Sequence, residues 1–319
     1  MLLEDRLPNL LRTSLLPSKV AVLPSATEPL PTIAAAQPYT QPANHAWLWL
    51  NLASLDAPLV ALLWQNLLQR SLGAPFHFAA SATLAVSVWF IYVSDRLLDA
   101  LRWRSGDAAP RHLFYRRHWR PLAAAAFAGL LVLTWLCTQI DGEMRRNGFL
   151  LLGAVIGYFL IVHLGPSTLR KFWPKEVVVG LIFSLGTCLP AWTMKPAAHI
   201  EMLAPALLFA ALCTLNCMAI EFWEWERYEP EASAAPHRIT TWTGNRLAPA
   251  TVSAALLSAA CFAISPEPML PFYVASFLSA VGLFALVWQS NRMPVELLRV
   301  LADVVLFTPI LVLAISAVR

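Results

Sequence analysis

Two carboxylates one helical turn apart are the first residues able to do chemistry. In IYVSDRLLDALRWR, residues 91–104, Asp95 and Asp99 stand at i, i+4. On a helix they share a face, about 6 Å apart along the axis. Like charges this close repel unless a cation lies between them. Mg²⁺ suits such a pair, because it takes one or two carboxylates and completes its shell with waters and substrate phosphate oxygens. The plainer account is a helix end among headgroups, its aspartates paired with Arg96 and Arg102. The residues alone leave both accounts open.

A second acidic element is NCMAIEFWEWERYE, residues 216–229. Glu221 and Glu224 are i, i+3 and are expected to face the same way, with Asn216 deeper and offset around the helix. Glu226 and Glu229 are expected in solvent, and Trp223 and Trp225 as interfacial anchors. A third element, LRKFWPKEVVVG, places Arg170 and Lys171 just before Lys175, which opens an apolar block. A lysine there holds a diphosphate as a point charge, although cytoplasmic helix starts carry lysines for plainer reasons too. Gly180 and Gly186 in the same block permit close helix packing. Asp56 sits within the apolar stretch NLASLDAPLVALLWQNLLQR, where an ionisable residue is costly and faces the interior. It either orients a second substrate, serves as a base, or bonds to a neighbouring helix, with Asn51 and Asn66 as partners. His163 reads as a satisfied interior histidine, and the basic run at 111–120 as an anionic-lipid anchor or, alternatively, a lid.

The elements that position these residues are membrane helices. Of 319 residues, 58% are hydrophobic and 13% charged, with a mean hydropathy of +0.59; soluble chains carry about 25% charged residues. Nine apolar blocks are expected, at roughly 46–69, 75–94, 119–140, 147–165, 175–195, 201–221, 247–264, 270–289 and 297–318, each near the length of a bilayer span. In lipid the backbone must satisfy itself, so the expected fold is all-α: a polytopic nine-helix transmembrane bundle over 46–319. Residues 1–45 are proline-rich and lack a signal-peptide pattern, and are expected to be a disordered cytoplasmic tail. Most of the 23 Lys and Arg fall on the side of that tail, against Arg70, Arg145, Arg146, Lys195 and Arg319 on the other. The positive-inside rule then makes the N-terminus and the motif loops cytoplasmic and the C-terminus opposite. Cys137, Cys188, Cys213, Cys217 and Cys261 all lie in apolar blocks and form no CxxC pair, which gives neither a zinc site nor a disulfide framework.

This layout resembles the UbiA superfamily of intramembrane prenyltransferases: nine helices, an Asp-rich motif after the second, a Lys-led fifth and an acidic motif after the sixth. Asp95 and Asp99 match the last two acidic positions of that family's NDxxDxxxD motif, whose first two positions fall on Ile91 and Tyr92. Asn216 and Glu224 match the ends of its second motif, and Glu221 is one place from the middle position. The resemblance implies that Mg²⁺, held by Asp95, Asp99, Glu221 and Glu224, bridges to the diphosphate of a polyprenyl donor. It also implies that Lys175, helped by Arg102, stabilises the leaving group, and that an acceptor of unknown identity, or the donor's own double bonds as in a terpene cyclase, captures the allylic cation. The other class left open is a non-catalytic lipid-binding protein or transporter on the same bundle. P-loop, Rossmann, HExxH and GxSxG motifs are absent, and nothing suggests nucleic-acid binding.

Overall fold

A computed structural model describes residues 51–102, 110–166, 175–228 and 243–318. The expected N-terminal tail, Arg170 and Lys171 lie outside the described residues, and the side chain of Arg102 is likewise not described. The regular elements among the described residues are all helical. They are α1 (Asp56–Ser71), α2 (Phe78–Arg102), α3 (Pro110–Arg117), α4 (Trp119–Thr138), α5 (Gly142–Phe159), α6 (Lys175–Met194), α7 (His199–Tyr228), α8 (Leu247–Ile264), α9 (Leu270–Gln289), α10 (Val295–Val304) and α11 (Pro309–Val318). Eight stretches among the described residues are long and apolar enough to cross a bilayer, so the fold is an all-α membrane bundle.

The block expected at 46–69 is not one continuous span. Ser54 has φ +55°, outside the helical region, and the helix begins at Asp56. The sixteen residues of α1 reach about 24 Å, short of the roughly 30 Å hydrocarbon core. Yet α1 is deeply buried, with Val60, Ala61, Trp64, Leu67 and Leu68 almost fully enclosed. Trp64 stacks on Phe209 with centroids 4.5 Å apart and meets Phe272 edge-on at 5.1 Å. Around this centre α6 packs on α7, α8 on α9 and α2 on α4. Most residues of α4 and α5 are exposed, as expected of helices facing lipid tails.

The last span is broken inside the bundle. Between α10 and α11 the chain makes a 3-10 turn over Val305–Phe307. Pro309 has no N–H to give the Val305 carbonyl, and its ring crowds that oxygen. In lipid the freed carbonyls need other donors. Ser279 Oγ donates to Val305 O at 2.8 Å, and Trp64 Nε1 to Leu306 O at 2.8 Å. Thr308 Oγ1 in turn donates to Ala275 O at 2.9 Å. The break is thereby fixed to α1 and α9, and with it the direction of the residues at the end of α10.

Gly180 marks a tight crossing of α6 and α7. A Cβ there would lie 2.7 Å from the Ala210 carbonyl oxygen and closer still to the Thr214 hydroxyl of α7. Gly186 is less constrained, meeting the side chains of Leu151 and Leu84 at ordinary distances. Gly180→Leu is therefore expected to separate α6 from α7 and destabilise the protein by about 1–3 kcal/mol. Unfolding in mixed detergent checks this, with Gly186→Ala as the milder control.

Candidate functional site

The charged ends of α2, α6 and α7 meet the turn that follows α5 at one end of the bundle. On α2, Asp95 accepts from His163 Nε2 at 3.1 Å. His163 lies on a π-helical turn, Leu160–Leu164, that extends α5 and widens its last turn; such turns recur at functional positions. Phe159 stacks on the imidazole at 5.4 Å. Lys175, the first residue of α6, donates to Glu221 at 2.7 Å and approaches Glu176 at 3.8 Å. Asp99 lies within electrostatic reach of Lys175, and Tyr158 within reach of Asp95, Asp99 and Glu176. The side chains of Asp95, Lys175 and Glu221 keep 36%, 43% and 40% of their surface exposed, so an incoming ligand can reach them.

Below this mouth the same helices carry progressively less polar residues at helical spacing. On α2 Asp99 and Asp95 lead to Tyr92, on α6 Lys175 leads to Val179 and Phe183, and on α7 Glu221 leads to Cys217 and Cys213. Tyr92, Val179, Phe183, Cys213 and Cys217 line one cavity together with Asp303. Eight residues of α6, about 12 Å of rise, separate the charged rim from the apolar floor at Phe183.

Glu224 does not join Glu221. It leans toward α10, where Arg299 Nη1 donates to it at 3.3 Å, while Glu221 leans toward α6. The i, i+3 offset of about 60° around the helix sends the two carboxylates to different neighbours. Trp223 is likewise not an interfacial anchor; it is buried against Ala219, Leu247, Leu283 and Leu298. Asn216 is buried and donates to Asp303 Oδ1 at 3.1 Å. Asp56 stands at the start of α1 rather than at mid-helix. There it accepts from Asn51 Nδ2 at 2.6 Å and from the Ala57 N–H at 3.0 Å. Arg96 turns away from Asp95 and donates to the Asn51 carbonyl, beneath the buried Tyr115 of α3. Tyr115 OH pairs with Ser54 Oγ at 2.8 Å, so the basic helix α3 is docked on the bundle by its aromatic side while Arg116 and Arg117 stay exposed.

Sequence reasoning passed over Arg299, Asp303, Glu176 and the role of Tyr92, and gave His163 a structural part only. Arg299 and Asp303 carried a usable signal: two ionisable residues four apart in an otherwise apolar block, the same signal that singled out Asp56.

Among the described residues, the donor chemistry suits a hard cation best beside Asp95 and Asp99. Asp95 and Asp99 offer oxygen ligands on one half-buried helix face, with Glu221 on the neighbouring α7. Among the described residues no three His, Cys, Asp or Glu side chains close into a cage. A cation here would need a ligand's own oxygens to complete its shell, which is the usual habit of Mg²⁺. Glu224 does not fit as a ligand, being held by Arg299.

The chain matches no family model, no curated protein and no solved structure.

The divergence of the two glutamates has a measurable consequence. Removing one partner of the enclosed Glu224–Arg299 pair strands the other charge, at about 3–5 kcal/mol. Arg299→Ala and Glu224→Ala are expected to lower the unfolding midpoint in detergent sharply, whereas Glu221→Ala, at the exposed mouth, is expected to leave it nearly unchanged.

Proposed function

We propose that this protein is a UbiA-like intramembrane prenyltransferase, moving a polyprenyl group from its diphosphate to an acceptor. The observation that carries this reading is the convergence of Asp95, Asp99, Lys175 and Glu221, from three different helices, at accessible positions at one end of the bundle. A metal–diphosphate unit suits that pattern of charge, and its prenyl chain would run toward the apolar residues further along the same helices. On this reading α1, together with the residues before Ser54, supplies a ninth crossing, and the mouth faces the cytoplasm, where the positive-inside rule places the basic residues.

The residues then have separable roles. Asp95 and Asp99 would hold Mg²⁺, which when bound neutralises the diphosphate and makes it a better leaving group. His163 fixes the Asp95 carboxylate in orientation by its 3.1 Å hydrogen bond. Lys175 is paired with Glu221 before substrate arrives; the diphosphate competes for the ammonium, which then stabilises the charge released as the allylic C–O bond ionises. Glu221 and Glu176 hold Lys175 at the rim, so the cation is pre-positioned rather than searching solvent. Arg102, Arg170 and Lys171 are placed by sequence beside the same mouth and would add positive charge to it. Asn216 and Asp56 act one layer deeper, through Asp303 and Asn51.

A transporter or lipid-binding reading keeps one specific observation. At the other end of α1 the buried side chains of Gln65, Gln69 and Ser71 carry polar atoms with no protein partner, as a wetted vestibule would.

The deciding experiment offers geranyl, farnesyl and geranylgeranyl diphosphate to the purified protein in detergent, with Mg²⁺ or with EDTA. Diphosphate release is expected with Mg²⁺ alone. Replacing Asp95 and Asp99 together by Ala is expected to lower it by more than about 1,000-fold without loss of the folded state. Release that survives the double substitution, or metal-independent lipid flux, would support the transporter reading instead.

A further inference from the structure

Asp56 and Asp303 face each other across one nitrogen. The side-chain amide of Asn51 donates to Asp56 Oδ2 at 2.6 Å and to Asp303 Oδ2 at 3.2 Å. Their other oxygens look outward: Asp56 Oδ1 accepts from the Ala57 N–H at 3.0 Å, and Asp303 Oδ1 from Asn216 at 3.1 Å. The two carboxyl groups also hydrogen-bond to each other. A carboxylate only accepts, so a bond between two of them requires a proton on one. Like charges this close do not both ionise. A buried neighbour is short of the same proton. Asn216 is 5% exposed, and its Oδ1 is enclosed with no donor in reach. A proton held beside it supplies that donor, from the carboxyl itself or through one water.

The surrounding charges lead to the same count. α2 faces the pair with Arg96 and Tyr92, and α7 with Asn216, Cys213 and Cys217. Tyr115 of α3 lies over Arg96. Arg299 of α10 reaches the pair through Asn51 and holds Glu224 of α7 with its other nitrogen. The phenols and thiols are neutral in their ordinary range. The charges of the mouth stand apart, Asp95 on His163 and Lys175 on Glu221 and Glu176. Asp56, Asp303 and Glu224 thus share the network with two guanidinium groups, Arg96 and Arg299. Fully ionised, it carries one uncompensated negative charge, which the interior of a membrane bundle tolerates poorly. One proton makes it neutral.

We propose that Asp56 and Asp303 form a proton-binding site that holds one proton between them at neutral pH. The site is independent of the prenyl-transfer reading. The proton belongs to the pair rather than to either residue. It closes the carboxyl–carboxylate bond and lets one Asn51 amide bridge both groups. Its loss sets two like charges against each other where Asn51 joins α1 to α10, so proton binding is linked to closure of this end of the bundle. The folded chain keeps a proton that the unfolded chain releases above the ordinary carboxyl range. Stability therefore falls as pH rises through neutrality, until the pair itself lets go.

The test is infrared spectroscopy of the full chain in detergent at mildly alkaline pH, where solvent-facing carboxyls are ionised. A protonated carboxyl has a C=O stretch set apart from the carboxylate bands, and it shifts in ²H₂O. The wild-type protein is expected to show this band. Asp56→Asn and Asp303→Asn are each expected to abolish it, because Arg96 then balances the carboxylate that remains. Each amide supplies an N–H where the shared proton stood, so the fold is expected to hold. Unfolding in mixed detergent gives a second readout. Relative to either variant, the wild-type unfolding constant is expected to rise by about tenfold per pH unit above the carboxyl range. Absence of the band in the wild-type protein, which needs no variant to fold, overturns the proposal. So does a band that persists at full intensity in either variant, or a pH dependence of stability that wild type and variants share.

Discussion

Asn51 ties the charged end of the bundle together. Its side-chain amide donates to Asp56 and to Asp303, its side-chain oxygen accepts from Arg299, and its backbone carbonyl accepts from Arg96. One neutral residue thus links α1, α2 and α10, and through Asp303 and Arg299 it reaches Asn216 and Glu224 of α7. Charges placed this deep carry a desolvation penalty of several kcal/mol each unless they are paired and hydrogen-bonded. The network meets that demand by gathering Asp56, Asp303, Arg96 and Arg299 around one shared residue, Asn51. The break at Ser54 is part of the same arrangement, because a continuous helix through residues 51–56 would not let Asn51 fold back beside Asp56.

This buried network and the open mouth divide the acidic residues between two tasks. Asp303, Asp56 and Glu224 are enclosed and bonded inward, and they hold helices at fixed positions. Asp95 and Glu221 keep accessible surface at the end of the bundle that Asp99 and Lys175 share. The division explains why two glutamates one turn apart on α7 have unlike partners: Glu221 secures Lys175 at the exposed end of α6, and Glu224 secures Arg299. It also gives the site a rigid base beneath a polar rim whose ion pairs can exchange partners.

Much of this was legible from the chain. Apolar blocks of span length marked the membrane helices, since lipid leaves the backbone no other solution. The i, i+4 spacing of Asp95 and Asp99, and the placement of Lys175 and Glu221 at helix ends on one side, are enough to bring those residues to a common end of the bundle. The departures have identifiable causes. Hydropathy does not register the single left-handed residue Ser54, so α1 was read as longer than it is. Helical periodicity gave Glu221 and Glu224 one direction, but the partner across each interface, Lys175 or Arg299, decided where each carboxylate went. Asp303 and Arg299 stand out as ionisable residues in an apolar block, but the kink at Pro309 that aims Asp303 depends on donors from α1 and α9 that no local pattern reveals.

The central claim is that the mouth formed by Asp95, Asp99 and Lys175 binds a metal–diphosphate unit. Calorimetric titration of farnesyl thiolodiphosphate, an unreactive donor analogue, into the purified protein tests it most directly. The account requires saturable binding with Mg²⁺, little or none in EDTA, and a marked loss of affinity in Lys175→Met. Binding of equal strength in EDTA, or binding indifferent to Lys175, would contradict it.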